Sequence, residues 1–335
     1  MSGQIESTLH SVDVLLSTYN GERYVAQAIE AILGQTYRDF TLHIVDDSSS
    51  DDTWSIITRF EDPRIVRSRN AANAGLFANL NMLVSRTHAP WIKLIGQDDI
   101  LNPDCLERGL AFAREHRGLG CFWCYNDFID GAGQVFATAP TDHVTSVLDT
   151  SEADRDCLTW GCLSSNIANL FISREALAIA GPFRCDIMSA DFDIMSRIQG
   201  NYTIGRFTDN LVLVRSHSGQ WSGDIRQMEN HVAGNMQVFG RIFRRAVDER
   251  RSISRREATD RLGARLARNE FNWVLKALQV NRDLRAARRS LASVGGVIPL
   301  HVVAAKWAKL MMPRYLKRLL PRSQAPSAND GRQLV

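Results

Sequence analysis

Long apolar runs are missing from this chain of 335 residues. No stretch reaches the roughly 18 apolar residues that crossing a bilayer requires, so no membrane-spanning helix is expected. The opening residues, MSGQIESTLHSVDVLL, lack a basic stretch followed by a long apolar one, and no secretory leader is expected either. Cysteine is sparse. Six in a chain of this length do not make a disulfide scaffold, and a reducing cytoplasm is the expected setting. After His217 the pattern is helical almost to the end, with no evident repeat.

What is present is ordinary for a soluble globular protein, with 44% apolar and 23% charged residues. The length suits a catalytic domain plus an extension. The net charge of +3 hides an asymmetry, because residues 226–335 hold 23 Lys/Arg against 8 Asp/Glu and the remainder holds 17 against 29. An acidic front and a basic tail imply different surfaces for different partners.

Along the front, short apolar runs alternate with helical spacing. VDVLLS (12–17) reads as a buried strand, and Tyr24, Val25, Ala28, Ile29 and Ile32 then fall on one helical face. Phe40–Val45 repeats the plan, followed by a helix with Trp54, Ile56 and Ile57 on its apolar side. RIVRSRN and WIKLIG give two more strands around a helix near Leu76–Ser85, whereas FATAPTDHVTSVLDTSEAD (136–154) reads as a long loop. The alternation predicts an α/β fold with a mostly parallel sheet and helices on both faces. Ligands of such sheets bind beyond the carboxyl ends of the strands. Three polar clusters lie there: Ser17–Tyr19, Asp46–Asp47 and Asp98–Asp99.

Adjacent carboxylates at the end of an apolar strand are costly unless paired or metal-bound. Asp98 and Asp99 therefore mark either a site for a hard divalent cation and a ribose hydroxyl, or a turn ahead of a helix capped at Asn102-Pro103. Cys121 and Cys124 have the spacing of a zinc half-site. On a strand, however, they face opposite sides and no second pair accompanies them, so both read as strand residues.

The ordered motifs STYN, QTY, DDSSSDDT, NAANAGLFANLN and GQDDILNPDCL make residues 12–217 similar to family 2 glycosyltransferases, whose catalytic domain has the GT-A fold. That resemblance implies a GT-A domain over 1–225, with a nucleotide-binding half at about 10–105 and an acceptor half at about 106–225, and a helical basic extension over 226–335. It also implies residue roles. Ser17, Tyr19 and Asp47 would surround the base, Asp98 would contact ribose or sugar, and Asp99 would hold Mn²⁺ or Mg²⁺ against the diphosphate. Arg69 and Asn73 would touch phosphate or nucleotide, with a turn ahead of a helix as the plain alternative.

In MSADFDIMSRI, Asp191 matches the family's general base, needed because a sugar hydroxyl is a poor nucleophile until deprotonated. Arg197 matches a basic residue later in that helix. Asp193 completes a literal D-x-D but reads as a first-turn residue favoured by the helix dipole. Ala190 departs from the Glu that many relatives carry there, which puts the tuning of the base and the acceptor choice in doubt. The Gln-rich Trp motif of processive relatives is not evident, so one sugar per encounter is expected. His217 matches a closing segment where a His completes the metal or diphosphate site, and Trp221 would cover the substrate.

The arginine-rich run RIFRRAVDERRSISRREATDRLGARLARNE is most simply a solvated helical face packed by Ile242, Phe243 and Leu262. Residues 299–320 join Val303, Trp307, Leu310, Met311 and Leu316 with Lys306, Lys309, Lys317 and Arg318, a composition that suits a membrane-interface helix. Docking of that helix on the enzyme or at a dimer interface is the alternative. The reading that results is a metal-dependent, inverting transfer of one sugar from a nucleotide-diphosphate donor, UDP- or dTDP-linked. The acceptor is a glycan or lipid-linked glycan at the inner face of the cell membrane. Two rivals stand beside it: a nonenzymatic sugar-nucleotide or glycan-binding module, and a nucleic-acid binder, for which the tail lacks a recognition motif.

Overall fold

The computed structural model describes residues 11–138, 144–217, 228–270 and 284–319, with side chains of the last helix described as far as Leu310. The first strand, β1 (Val12–Thr18), is buried along nearly its whole length, as a central parallel strand covered on both faces must be. Its one acidic residue within the buried run, Asp13, is satisfied by His43 Nε2 at 3.1 Å and by the main-chain amides of His88 and Ala89, each at 2.8 Å. Helix α1 (Val25–Leu33) follows and buries Val25, Ala28, Ile29 and Ile32, the spacing expected of its inward face. Each of its larger apolar side chains contributes about 1.5–3 kcal/mol by leaving water.

The next strands are β2 (Phe40–Asp46), β3 (Ile65–Arg69) and β4 (Trp91–Ile95), with helices α2 (Thr53–Thr58) and α3 (Leu76–Arg86) between them. They pair in parallel in the order β3-β2-β1-β4. A two-residue strand β5 (Ile100–Leu101) leads into α4 (Cys105–Glu115), and β6 (Leu119–Ile129) begins the second part of the sheet. There β9 (Leu170–Ser173) lies antiparallel between β4 and β6, and β10 (Thr203–Arg215) runs parallel to β6. The sheet is thus mostly parallel, as expected, with one antiparallel strand joining its two parts.

The expected loop at 136–154 contains structure. It forms β7 (Val135–Thr138) and β8 (Ser146–Leu148), then enters helix α5 (Thr150–Trp160). The helix starts at a capping box in which Asp149 Oδ1 accepts from Glu152 N at 2.8 Å and Asp149 N donates to Glu152 Oε2 at 3.0 Å. Helices α6 (Arg174–Ala180) and α7 (Ala190–Ile198) complete this part.

Two apolar cores lie on the two faces of the sheet. Leu15 belongs to one and Leu16 to the other, and Cys121 and Cys124 separate in the same way, as strand residues three apart should. The tail forms α8 (Met228–Arg244), α9 (Arg255–Arg268), α10 (Leu284–Gly295) and α11 (Leu300–Leu319). These helices share the first core: Val232, Met236, Phe239, Ile242 and Leu262 pack with Phe192 and Met195 of α7.

Many of the tail's arginines turn inward. Arg245 clasps the fully buried Asp154 and donates from Nη1 to Ser196 O at 2.7 Å, while Arg241 Nη2 pairs with Asp193 Oδ1 at 2.7 Å. Arg261, Arg265 and Arg268, one turn apart on α9, donate to Thr159 Oγ1, Trp160 O and Thr159 O at 2.9, 2.9 and 3.1 Å. They lie at the carbonyl end of α5, where cations are favoured. On α11, Val303 is buried, Trp307 packs against the core and Lys306 pairs with Asp260 at 2.9 Å. Leu300, Lys309 and Leu310 face outward.

Candidate active site

The carboxyl ends of β1, β2 and β4 bring the predicted clusters onto one rim. The ends of β1 and β2 are joined by asparagines. Asn79 Nδ2 donates to Ser17 Oγ at 3.1 Å, and Asn70 Nδ2 donates both to Asn79 Oδ1 and to Asp47 Oδ1 at 2.7 Å. Asp47 also accepts the main-chain amides of Ala74 and Gly75, each at 2.8 Å. Burial alone would raise the Asp47 carboxyl, but these hydrogen bonds outweigh it and hold the group below the ordinary carboxylate range. Asp47 thus organises the loop 70–75, and Asn73 reaches back to its carbonyl at 3.4 Å.

Arg69 is engaged internally as well. Its Nε pairs with Asp46 Oδ2 at 2.9 Å and its Nη2 donates to Ser49 O at 2.7 Å. Tyr19, 48% exposed, offers its ring to solvent at the rim while the Gln97 amide clamps its main chain from both sides, at 2.8 and 3.0 Å. That clamp passes so close to Gly21 that a Cβ there would stand 2.3 Å from Gln97 Oε1. A larger residue at 21 would have to displace the Gln97 amide and so loosen that clamp.

Asp98 and Asp99 differ in environment. Asp98 is half-buried and meets His217 Nε2 at 3.0 Å, and the His217 ring lies 5.1 Å from that of Tyr24. Asp99 is 4% exposed and accepts the Arg215 main-chain amide at 3.0 Å. Burial first, and then the charge of Asp98, push the Asp99 carboxyl up to about 7. Gly96 makes room for the pair, since a Cβ would lie 2.7 Å from Asp99 Oδ2.

Among the described residues, no three His, Cys, Asp or Glu side chains form a ready-made metal cage. Two carboxylates on one turn, with the imidazole that follows β10 against the first of them, are nevertheless a fitting donor set for a hard or borderline cation. Asp99 lies in a setting where a second positive charge would relieve the cost of its ionisation. Donor diphosphate oxygens would have to complete the coordination shell. Asp98, Asp99 and His217 are therefore brought together.

Asp191 makes no direct contact with that group. It sits at the start of α7, half-buried, and its Oδ1 accepts Phe192 N at 2.8 Å. Burial raises its carboxyl above the ordinary value. Asp193 is fully buried between Arg197 at 2.9 Å and Arg241 at 2.7 Å, so both it and Arg197 are engaged in an internal ion pair. Ser218 to Ser222, including Trp221, lie outside the described residues.

Several residues at the site carried no signal strong enough to assign. Asn70 and Asn79 are common loop and helix residues in sequence. Gln97 reads as a linker, and Arg215 reads as the last residue of a strand. Gly96, two positions before the paired carboxylates, was the one local hint.

Residues 13–160 match the family described as Glycosyl transferase family 2. Among curated proteins the chain is similar to EpsE of Bacillus subtilis, 36% identical over 109 residues, covering 32% of this chain and 39% of that protein. It is also similar to the UDP-Glc:alpha-D-GlcNAc-diphosphoundecaprenol beta-1,3-glucosyltransferase WfaP of Escherichia coli, 32% identical over 88 residues, 26% of this chain and 35% of WfaP. The matched stretches thus span well under two thirds of either relative.

Among solved structures, TarS 1-349 of S. aureus in complex with UDP-GlcNAc superposes with a TM-score of 0.67 at 16% identity, covering 92% of this chain and 87% of that one. The mannosyltransferase PcManGT of Pyrobaculum calidifontis, in complex with GDP-Man and Mn²⁺, does so with a TM-score of 0.52 at 16% identity over 92% and 82%. These likenesses fix the fold as GT-A. The ordered motifs, and the rim at the ends of β1, β2 and β4 that carries them, fall within the stretch, residues 13–160, that matches glycosyl transferase family 2.

Proposed function

We propose that the protein transfers one sugar from a nucleotide-diphosphate donor, UDP- or dTDP-linked, to an acceptor hydroxyl, with inversion at the anomeric carbon. The observation that carries this reading is the rim itself: a buried Asp99 beside the Asp98–His217 pair, next to a loop organised by Asp47. In this reading Tyr19 lies against the base, Ser17 and Asp47 shape its pocket, and Arg69 and Asn73 hold the loops that flank the nucleotide. Asp98 meets the ribose or sugar. Asp99 and His217, together with the donor's diphosphate oxygens, would hold Mn²⁺ or Mg²⁺, which would supply positive charge to the departing diphosphate.

Asp191 takes the proton of the acceptor hydroxyl as its oxygen bonds to the anomeric carbon and the bond to the diphosphate oxygen breaks. Burial raises its carboxyl, which makes it a stronger base than an exposed aspartate. WfaP, by its name, acts on a diphosphoundecaprenol-linked sugar, which supports a lipid-linked glycan acceptor here and a place at the inner face of the cell membrane. The outward residues Lys309 and Leu310 of α11 would then meet an anionic lipid surface, a narrower face than the composition of 299–320 promised because Val303 and Trp307 turn inward.

A thermal-shift panel of UDP, dTDP, GDP and CMP, with and without Mn²⁺, tests the donor site. A nucleotide at 100 times its dissociation constant adds about 2.7 kcal/mol of stability. The expected result is a Mn²⁺-dependent shift with UDP or dTDP that Asp99→Ala abolishes. Absence of any shift from folded protein would sink the reading in favour of a module that binds glycan without turnover. Co-sedimentation with vesicles containing anionic lipid tests the membrane contact, which should weaken in Lys309→Glu.

A further inference from the structure

The arginine at the end of β10 is the largest charged side chain buried near the rim. Arg215 is 1% exposed, and its guanidinium spreads over three separate parts of the chain. Nε donates to Asp98 O at 2.9 Å, Nη1 to Asp130 O at 3.1 Å and Nη2 to Gln27 Oε1 at 2.9 Å. The same residue's main-chain amide donates to Asp99 Oδ1 at 3.0 Å. The plane of the group lies over the Tyr24 ring, 4.4 Å from its centroid, and Tyr24 Oη reaches Gly131 O at 3.4 Å. One side chain thus holds the carboxylate turn, helix α1 and the turn between β6 and β7.

We infer that Arg215 is a positioning residue that sets the carboxylate turn and the β6–β7 hairpin in one register, so that the donor site and the rim beside it move as a unit. The chemistry requires a guanidinium. Its donors diverge in one plane toward fixed acceptors, which a lysine's single nitrogen on a flexible stem cannot reproduce. Removing the group would leave the carbonyls of Asp98 and Asp130 without this donor in a site closed to solvent. The hairpin that it holds presents Val135 and Phe136 outward, 56% and 60% exposed, so the coupled element is one that can meet another molecule. The link to catalysis rests on the proposed donor site, but the link between the two turns does not.

The test uses the full chain and three proteins: the parent, Arg215→Lys and Gln27→Ala. Gln27 is exposed and its replacement removes only one acceptor, so that variant keeps the test open should the lysine variant fold poorly. Hydrogen exchange followed by mass spectrometry should show segments 96–101 and 129–135 opening together. The expected acceleration is about tenfold in Arg215→Lys and smaller in Gln27→Ala, with β1 and β2 unchanged. With a donor that the parent turns over, Arg215→Lys should lower kcat at least about tenfold and leave the donor KM within about threefold, the pattern of misplacement rather than lost binding.

Loosening of one segment without the other, or of neither, overturns the inference, as does a parental kcat in Arg215→Lys. If the parent turns over no donor but both segments still loosen together, the proposed function falls and the coupling stands.

Discussion

Asp47 shows how much of the site depends on single carboxylates already in use within the protein. Its folded value is depressed, so its contribution to stability is present above the ordinary carboxylate value of about 4 and is lost as pH falls through the lower folded value. Asp47→Asn would set an amide N–H against main-chain donors. It should cost about 1–3 kcal/mol and flatten the acid limb of the stability profile, measured by urea unfolding at a series of pH values. Asp191→Asn should leave the Mn²⁺-dependent nucleotide shift intact and lower kcat by about 10²–10⁴. Loss of the shift in that variant would place Asp191 in donor binding rather than proton transfer. Asp47, Asp98 and Asp99 were legible because each stands where an apolar strand stops, whereas Asp191, at the start of α7, was legible only through the family resemblance. Arg215 was not, because its partners at 27, 98 and 130 are up to 188 positions away and no local pattern announces them.

At the level of elements, the departure from expectation is α5. Turn-forming and charged residues made 136–154 resemble a loop, yet Asp149-Thr-Ser-Glu152 is a helix start that could have been read from its spacing. Asp149→Ala should cost about 1 kcal/mol. The other end of α5 depends on α9, and no sequence rule could have revealed that Arg265 and Arg268, more than 100 residues later, meet its last carbonyls. Arg265 also pairs with Glu270 at 2.8 Å, where both side chains are largely buried. Arg265→Met should therefore destabilise by about 3–5 kcal/mol, because it strands the Glu270 charge. An unfolding midpoint close to the parent's would show that the contact contributes little. By contrast, β1, β2, β3 and β4 and their helices followed directly from the alternation of short apolar runs and helical spacing.

On the scale of the molecule, the basic tail is part of the first core rather than an appendage with its own. Phe239 and Ile242 pack with Phe192 and Met195, and the Arg245–Asp154 pair is sealed between them. A chain ending at residue 225 should expose that surface, bind a hydrophobic dye and aggregate, while the full chain unfolds in one transition by circular dichroism and fluorescence. Two separable transitions would contradict this. The fold class was readable because parallel sheets declare themselves by repetition. The docking of the tail was not, because a helix face packed by Ile242 and Leu262 looks the same whether it meets its own kind or a neighbouring domain.

The antiparallel strand that joins the two parts of the sheet also sets an order of assembly. Strand β4 ends at Ile95, but the neighbour that covers its outer edge, β9, begins only at Leu170. During synthesis, at about 5–20 residues per second, that edge remains unpaired for several seconds while the intervening chain emerges. A nascent chain stalled in this interval carries an open, apolar strand edge, and it is at this stage that a ribosome-bound chaperone would most effectively guard the protein against self-association.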